Sequence, residues 1–357
     1  MDRTEVDMAD TISIGERVVG PDQPAFIVAE VAQAHDGSLG LAHAFIDAAA
    51  EAGADAVKFQ THIAAAESTL QEQFRVKFSR QDVTRYDYWK RMEFTTGQWE
   101  GLARHAEERK LVFLSSAFSS DAVRLLNALG MPAWKIASGE IASRPLLKEI
   151  VATGKPLIVS TGMSLWSEIE ETVRLLKSWN APFCLLQCTS SYPTPLEQVG
   201  LNVIGEMRKR FGCPVGLSDH SGTVYPAFAA LARGCDLLEM HLTLDRRMFG
   251  PDVGSSLTVD ELRMVSQARD AFVTMDAHPV DKDRKAQELM ETRRLFMRSA
   301  APIRDLPVGT VLSADMICVK KPGTGIPVER IDALIGRRLA RAVRSNELFS
   351  EEDFSDE

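Results

Sequence analysis

The amino-acid sequence predicts an α/β fold, a (β/α)8 TIM barrel followed by a small β-rich domain. Short apolar runs of strand type alternate with helical segments over about 220 residues, and the composition changes after the eighth run. Eight strand–helix units fit a closed barrel, for which about 250 residues is typical. An open doubly wound sheet is the structural alternative.

The eight apolar runs share one feature, which is that each ends in polar residues. They are AFIVAEVA from Ala25, AVKFQ from Ala56, VFLSSAF from Val112, AWKIAS from Ala133, PLIVSTG from Pro156, FCLLQCTS from Phe183, PVGLSD from Pro214 and DLLEMHLT from Asp236. Side chains at the carboxyl ends of parallel barrel strands converge on one mouth. The polar residues there are therefore the candidates for chemistry.

The segments between the runs carry helix signals. Residues 41–52 are rich in alanine, and Gly53 is a plausible stop. Residues 167–170, with the sequence SEIE, predict a capping box for a helix whose apolar face holds Ile169, Val173 and Leu176. The longer, charged and aromatic segment 68–97 predicts an insertion on a βα loop, which is either a lid or a solvated helix.

Two domains are predicted, with a boundary near residue 290. Residues 1–290 would hold the catalytic barrel, an N-terminal extension and a charged helical linker. Residues 291–357 would form the β-rich module, because glycine and proline punctuate short β-type runs there.

Charge and hydropathy exclude several function classes. The 357 residues contain 41 Lys+Arg against 50 Asp+Glu, a net charge of −9 without a long basic run, so a nucleic-acid surface or a polybasic membrane patch is not expected. No stretch approaches the ~20 apolar residues that span a bilayer, and the acidic start MDRTEVDMAD lacks a secretion signal. We expect a cytoplasmic protein.

The five cysteines are predicted to be reduced thiols, because a chain of this length does not need disulfide bonds to be stable. A metal site at Cys184 and Cys188 is the less favoured interpretation, since no second cysteine pair accompanies them.

Polar residues recur at the predicted strand ends. They are Glu30, Lys58, Gln60, Ser116, Lys135, Ser138, Glu140, Ser160, Ser190, Tyr192, Ser218, Asp219, His220, His241 and Asp245. Two lysines together with several hydroxyl groups from different strands predict a cationic, donor-rich pocket suited to a phosphate or a carboxylate.

A pair of histidines points to a metal ion. His220 and His241 belong to successive strands, and Glu30 and Asp252 are within possible reach. Imidazole with carboxylate or water suits a divalent transition metal. Two protein ligands leave open positions, as a metal that binds and polarises a substrate requires.

Several motifs in collinear order resemble the sialic acid (N-acetylneuraminate) synthase family. They are Phe26-Ile-Val-Ala-Glu30 with His35-Asp-Gly37, Gly53-Ala-Asp-Ala-Val-Lys-Phe-Gln60, Lys135-Ile-Ala-Ser-Gly-Glu140, Ser160-Thr-Gly-Met163, Cys188-Thr-Ser-Ser-Tyr-Pro193, Gly216-Leu-Ser-Asp-His220, and His241-Leu-Thr-Leu-Asp245 with Gly250-Pro-Asp252. Lys321-Pro-Gly-Thr-Gly-Ile326 and Leu334-Ile-Gly336 resemble that family's C-terminal antifreeze-like (SAF) module. The resemblance covers nearly the whole chain.

The resemblance implies a transferase that condenses phosphoenolpyruvate with an open-chain N-acetylated hexosamine, giving a nine-carbon 2-keto sugar acid (a nonulosonic acid) and phosphate. It implies Mn or Mg at His220 and His241, and Glu30 and Glu140 as the groups that position water and move protons. Phosphoenolpyruvate would contact Lys58, Ser116, Lys135, Ser138, Ser160, Ser190 and Ser218. The sugar would face Gln60, Tyr192 and Asp252, and a domain-swapped homodimer would bring Lys321 into the partner's site.

Three departures from the family pattern leave the sugar open. Ala34 replaces the usual Asn before the first-strand His, Ser190 replaces an Asn, and Lys321 replaces an Arg whose flat bidentate fork Lys does not reproduce. N-acetylmannosamine and the 6-deoxy diacetamido hexoses of legionaminic or pseudaminic acid are the alternatives, for a spore-coat, flagellar or other polysaccharide pathway. Another phosphoenolpyruvate-dependent barrel synthase, an inactive carbohydrate-binding homologue and an ice-binding module are the rival functions.

Overall fold

The computed structural model describes residues 11–74 and 77–355. The chain divides into two compact units, the first ending at Ala277 and the second beginning at His278. The predicted boundary near residue 290 falls inside the second unit, where a short helix begins at Met290.

The first unit contains the predicted strands. Its strands are β1 Ile12–Ile14, β2 Arg17–Val19, β3 Phe26–Ala32, β4 Ala56–Thr61, β5 Val112–Ala117, β6 Trp134–Ile136, β7 Leu157–Ser160, β8 Phe183–Cys188, β9 Val215–Asp219, β10 Leu237–Thr243 and β11 Leu257–Thr258. The pair β1 and β2 forms an antiparallel hairpin, and β3 to β10 correspond to the eight predicted runs.

The eight strands β3 to β10 close into a parallel barrel. Each pairs with its neighbour in chain order, and β10 pairs with both β9 and β3. This closure confirms the predicted TIM barrel, and the open doubly wound sheet is wrong. The register sets His241 beside Glu30 and Glu30 beside Lys58, so polar groups of three strands lie at one level near the carboxyl ends.

Helices follow the strands as the hydrophobic periodicity predicts. They are α1 Leu39–Glu51, α2 Ala64–Glu67, α3 Arg85–Met92, α4 Thr96–Glu108, α5 Ser120–Ala128, α6 Arg144–Val151, α7 Trp166–Ser178, α8 Leu201–Phe211, α9 Tyr225–Leu231 and α10 Val259–Asp276. In α1 the Ser38 hydroxyl accepts from the Leu41 N–H, and Gly53, the predicted stop, takes a positive φ of 78° two residues after the helix ends at Glu51.

The predicted capping box of α7 is wrong by two residues. The helix begins at Trp166, and the Glu168 carboxylate accepts from the Leu165 N–H at 2.7 Å. Ser167 therefore lies inside the first turn, because the extended backbone ends at Leu165. The predicted apolar face is correct, since Ile169, Val173 and Leu176 are all buried.

The insertion between β4 and α4 has a hydrophobic cluster of its own. Tyr88, Trp89 and Met92 of α3 are buried with Ala64, and the partly buried Phe74 and Phe78 pack against them. A solvated helix would leave these side chains in water, so the solvated-helix alternative for this segment is wrong. The insertion instead contributes a wall to the cavity described below.

The second unit is small and β-rich. It contains α11 Lys282–Glu288, α12 Met290–Phe296 and the antiparallel strands β12 Ser299–Pro302 and β13 Ile317–Lys320. Its core is formed by Ala300, Leu306, Leu312, Ile326, Leu334, Leu339, Val343, Phe349 and Phe354.

All five cysteines are free thiols, as predicted. Within the part of the chain that the structure describes, no helix has the length and apolar character that a membrane span needs.

Candidate active site

A cavity of about 680 Å³ opens at the carboxyl ends of the barrel strands. Its lining includes the residues of the first unit to which a catalytic, substrate-binding or metal-binding role is predicted, namely Glu30, Lys58, Gln60, Ser116, Lys135, Ser138, Glu140, Ser160, Ser190, Tyr192, Ser218, His220, His241 and Asp252. The barrel brings these residues together because each follows or ends a parallel strand.

Three candidates lie outside this lining. Asp219 accepts from the Ser221 hydroxyl at 2.7 Å, and Asp245 pairs with Arg247 at 2.8 Å. Lys321 belongs to the second unit, where its ammonium lies 5.2 Å from the Phe296 ring centroid. The two aspartates therefore bind their own loops.

The bottom of the cavity holds four buried charges, which we call the inner cluster: Glu30, Lys58, Lys135 and Glu239. Lys58 Nζ lies 2.5 Å from Glu30 Oε2 and 3.7 Å from Glu239 Oε2, and Lys135 Nζ lies 3.2 Å from Glu239 Oε1. All four side chains are at most 6% exposed. Each buried charge thus has an opposite partner, as burial requires.

The two carboxylates of the inner cluster differ in proton affinity. Burial raises the pKa of Glu30 to about 7, although Lys58 opposes the shift. Burial also acts on Glu239, but Lys135 and Lys58 outweigh it and lower the pKa of Glu239 to about 2. Glu30 therefore exchanges a proton near neutral pH, whereas Glu239 stays ionised.

Sequence reasoning missed Glu239. It stands two residues before His241 in β10, and side chains at i and i+2 of a strand share a face. Lys58 and Gln60 share a face of β4 for the same reason. The alternation along β10 could therefore have identified Glu239 as a site residue.

Hydroxyl groups surround the two lysines. Lys135 Nζ donates to Ser160 Oγ at 2.8 Å, Ser218 Oγ donates to Glu239 at 3.0 Å, and Lys58 Nζ lies 3.5 Å from Ser116 Oγ. Hydroxyl groups thus surround the two lysines as predicted, but Glu30 and Glu239 balance the lysine charges, so the pocket is rich in donors without a net positive charge.

Gly162 allows two more hydroxyl groups to approach the cavity floor. A Cβ at this position would lie 2.3 Å from Ser190 Oγ and 2.7 Å from Ser138 Oγ. Any larger residue would displace both hydroxyls, which explains the glycine in this loop.

His220 and His241 lie side by side, with ring centroids 5.2 Å apart. His220 Nδ1 is 3.1 Å from the Thr189 carbonyl, which fixes Nδ1 as the donor and leaves Nε2 facing the Tyr192 hydroxyl at 3.0 Å. Burial and the nearby His220 hold the pKa of His241 well below its usual range. His241 Nδ1 also lies 3.9 Å from Asp252 Oδ2.

This donor set fits a divalent ion with two protein nitrogens and further ligands from water or substrate. Among residues 11–74 and 77–355, no group of three or more His, Cys, Asp or Glu side chains forms a complete metal cage. A closed structural site of four protein ligands is therefore not present in the described chain.

The insertion forms the opposite side of the cavity, which we call the outer wall: His62, Glu67, Glu72, Arg85 and Trp89. The His62 ring is stacked on Trp89 at a centroid distance of 3.7 Å, and its Nδ1 is 2.5 Å from Glu67 Oε1. Arg85 Nε lies 3.4 Å from Glu72 Oε1. Sequence reasoning missed these residues, because the pattern of the insertion, even along α3, does not show which side chains face the cavity.

The motif at residues 35–37 holds the insertion in place without lining the cavity. Arg91 of α3 donates to the Asp36 carbonyl at 2.9 Å and pairs with its carboxylate at 2.8 Å. Gly37 has a φ of 77°, and a Cβ there would lie 2.5 Å from the Arg91 carbonyl oxygen. The neighbouring Ala34, one of the three departures, is buried.

Comparison with known proteins gives consistent results over most of the chain. The profile of the NeuB family matches residues 45–278, and that of the SAF domain matches residues 298–355. The N-acetylneuraminate-9-phosphate synthase of Homo sapiens is 34% identical, over 94% of this chain and 94% of that protein. The N,N'-diacetyllegionaminic acid synthase of Campylobacter jejuni is 32% identical, over 91% of this chain and 98% of that protein.

Among solved structures, an N-acetylneuraminic acid synthetase from Leptospira borgpetersenii superposes with a TM-score of 0.70 at 29% identity. The superposition covers 81% of this chain and 98% of that one.

Proposed function

Since the chain belongs to the NeuB family of sialic acid and related nonulosonic acid synthases, we propose that it condenses phosphoenolpyruvate with the open-chain form of an acetamido hexose. The products are a nine-carbon 2-keto sugar acid and inorganic phosphate. The observation that carries this proposal is the pair of buried lysines, each held by a carboxylate at the cavity floor.

Phosphoenolpyruvate binds at the inner cluster. Lys58 and Lys135 supply charge-assisted hydrogen bonds to its phosphate and carboxylate, and the hydroxyls of Ser116, Ser138, Ser160, Ser190 and Ser218 add neutral donors. The ion pairs with Glu30 and Glu239 hold the two lysine side chains in place before the ligand binds, which lowers the entropy cost of binding.

The acceptor sugar lies above, with its aldehyde carbon against C3 of phosphoenolpyruvate. Gln60, whose amide donates to Glu30 at 3.0 Å, faces the sugar together with Tyr192 and Asp252. A divalent ion, Mn or Mg, held by His220 and His241 would polarise the aldehyde oxygen as it gains negative charge.

Atoms and electrons balance in the following sequence. A C–C bond forms between C3 of phosphoenolpyruvate and the aldehyde carbon, and the aldehyde oxygen takes a proton. Water adds to C2, and phosphate then leaves with its bridging oxygen as the C2–O bond breaks. Glu30 and Glu140 are the groups that position this water and move its protons, since burial raises the pKa of both above the ordinary carboxyl value.

We place the second unit over the site of a partner subunit, in a domain-swapped homodimer. The apolar side chains of Leu289, Leu295 and Phe296 are exposed in the single chain, and contact with a second chain would remove them from water. Lys321 would then reach the partner's sugar and help to exclude water.

Subunit exchange tests the homodimer. A chain with His220→Ala is mixed with a chain with Lys321→Ala, after each homodimer has been shown to be impaired. Each mixed dimer has one site with both lesions and one with neither, so activity should partly return. No gain despite verified exchange would contradict the trans role of Lys321.

The direct test of the reaction is phosphate release from phosphoenolpyruvate across a panel of acetamido hexoses with Mn. The panel holds N-acetylmannosamine and the 6-deoxy diacetamido hexoses that lead to legionaminic and pseudaminic acid. We expect release that depends on one sugar. Sugar binding without phosphate release would identify a carbohydrate-binding homologue instead, and release with simple aldoses would indicate another 2-keto sugar acid synthase.

A further inference from the structure

The charge of the cavity changes from its floor to its outer wall. Away from the two lysines, the lining holds the carboxylates of Glu67, Glu72, Glu140 and Asp252. Among the described lining residues of that part, the cation is Arg85, and its Nε is already 3.4 Å from Glu72 Oε1. The outer part of the cavity is therefore acidic.

Glu67 is the second observation. Its side chain is 7% exposed, and Oε1 is bound to His62 Nδ1, but Oε2 has no hydrogen-bond partner within the described residues. A buried carboxylate oxygen without a donor is costly, and native structures supply one from protein, water or ligand. Stacking of His62 between Trp89 and Phe118 fixes the ring that holds this carboxylate.

Glu140 faces the same space as Glu67. Burial raises the pKa of Glu140, and the charge of Glu67 raises it further. An additional anion placed between these groups would meet repulsion from both, and like-charge juxtaposition of this kind suppresses binding of the wrong ligand.

We propose that the outer wall binds the distal end of the acceptor and selects an unphosphorylated sugar, one that presents hydroxyl or acetamido N–H donors to Glu67. The inference rests on the proposed condensation. Because the aldehyde end must lie beside phosphoenolpyruvate, the opposite end of the sugar extends toward the outer wall. The partly buried side chains of Phe74 and Phe78 line the cavity and give an acetamido methyl group apolar contact there.

Sequence identity does not decide between a phosphorylated and an unphosphorylated acceptor. A relative named for a 9-phosphate product is 34% identical, and one named for an N,N'-diacetyl product is 32% identical. The three carbons of phosphoenolpyruvate add at the aldehyde, so C9 of a product is C6 of its acceptor. The 6-phosphate of an acetamido hexose would place its charge at the distal end.

The experiment compares kcat/KM for N-acetylmannosamine, its 6-phosphate and a 2,4-diacetamido-2,4,6-trideoxy hexose. The rate of phosphate release is measured, and the rate with phosphoenolpyruvate but no sugar is subtracted. We expect the better unphosphorylated sugar to exceed the 6-phosphate by at least about tenfold. Glu67→Gln keeps the hydrogen bond to His62 but removes the charge, and should reduce that ratio about fivefold, mainly through KM of the phosphorylated sugar.

Two further variants separate the charge effect from misfolding. Glu72→Gln frees the Arg85 guanidinium and should also improve use of the 6-phosphate, without changing a buried side chain. Glu100→Gln, with the same charge change at an exposed position on α4 outside the cavity, should leave the ratio unchanged.

The possible results differ in what they overturn. A preference for the 6-phosphate, with release intact, overturns the inference and leaves the condensation standing. Equal ratios in wild type and both outer-wall variants also overturn it. No sugar-dependent release with any acceptor overturns the condensation, and with it the inference.

Discussion

The inner cluster and the outer wall of the same cavity are built in different ways. Lys58, Lys135 and Glu239 stand on barrel strands, where the sheet register fixes their spacing, and all are almost fully buried. Glu72 and Arg85 stand on an insertion, and their side chains are 32% and 39% exposed. The comparison suggests that the rigid barrel carries the shared chemistry and that the insertion carries acceptor choice.

The largest effect is expected at the histidine pair. His220→Ala and His241→Ala should each lower metal-dependent turnover by about a thousandfold, because the proposed divalent ion, which would stabilise the developing alkoxide, would lose one of its two protein ligands. Turnover is measured with Mn after chelation and add-back. His43→Ala on α1, outside the cavity, serves as the matched control. Full activity of either variant, or of exhaustively chelated enzyme, would exclude the metal assignment.

The second largest effect is expected in the free energy of unfolding, which should differ between a variant of the inner cluster and one of the outer wall. Glu239→Gln removes the carboxylate beside Lys135 and leaves a buried ammonium without its ion pair, at a cost of about 3–5 kcal/mol in the free energy of unfolding. Glu72→Gln breaks a half-exposed pair and should cost at most about 1 kcal/mol. Urea unfolding measures both. Equal losses would show that burial does not set the cost of breaking these two ion pairs.

Phosphoenolpyruvate affinity should depend strongly on the inner lysines. Lys135→Met removes one charge-assisted contact worth about 2 kcal/mol, so the Kd should rise about thirtyfold while sugar affinity changes little. Calorimetric titration gives both constants. Lys148→Met on the exposed face of α6 is the control. The assignment fails if the two variants bind phosphoenolpyruvate equally well.

The smallest predicted effect is a pH dependence from Glu30, whose pKa is raised to about 7. Below that pH the carboxyl group is neutral, and the Lys58 ammonium is available to pair with the ligand. Above it the ionised group competes for Lys58, so affinity for phosphoenolpyruvate should fall about tenfold between pH 6 and pH 8.

Calorimetry in buffers of different ionisation enthalpy should accordingly detect proton uptake on binding near pH 7. Glu30→Gln should lose both the uptake and the fall in affinity, after correction for the ionisation of the ligand itself. Identical pH profiles for wild type and variant would contradict the role of Glu30.

The sequence predicts the barrel and the inner half of the site well, because the apolar runs mark the parallel strands, and Lys58, Lys135, His220 and His241 lie at or near the carboxyl ends of those strands. Glu239 could have been predicted from its position in β10, two residues before His241. The sequence misplaces the cap of α7 because Ser167 and Glu170 match the capping-box pattern, whereas the observed N-cap is Leu165, whose side chain has no acceptor to mark the position.

The outer wall was not predictable in the same way. Stacking on Trp89 of α3, 27 residues further along the chain, holds the His62 ring that pairs with Glu67. No periodic pattern links these positions. The proposed role of Lys321 in a partner's site would depend on a second chain, about which one sequence carries no geometric signal.

The most direct measurement is the crystal structure of the protein with bound phosphoenolpyruvate. We expect the phosphate and carboxylate groups within hydrogen-bond distance of the Lys58 and Lys135 ammonium groups and of the Ser160 hydroxyl, with C3 facing the outer wall. Phosphoenolpyruvate bound at Arg85 or anywhere outside the inner cluster, with both lysines still paired to Glu30 and Glu239, would contradict the proposed division of the cavity.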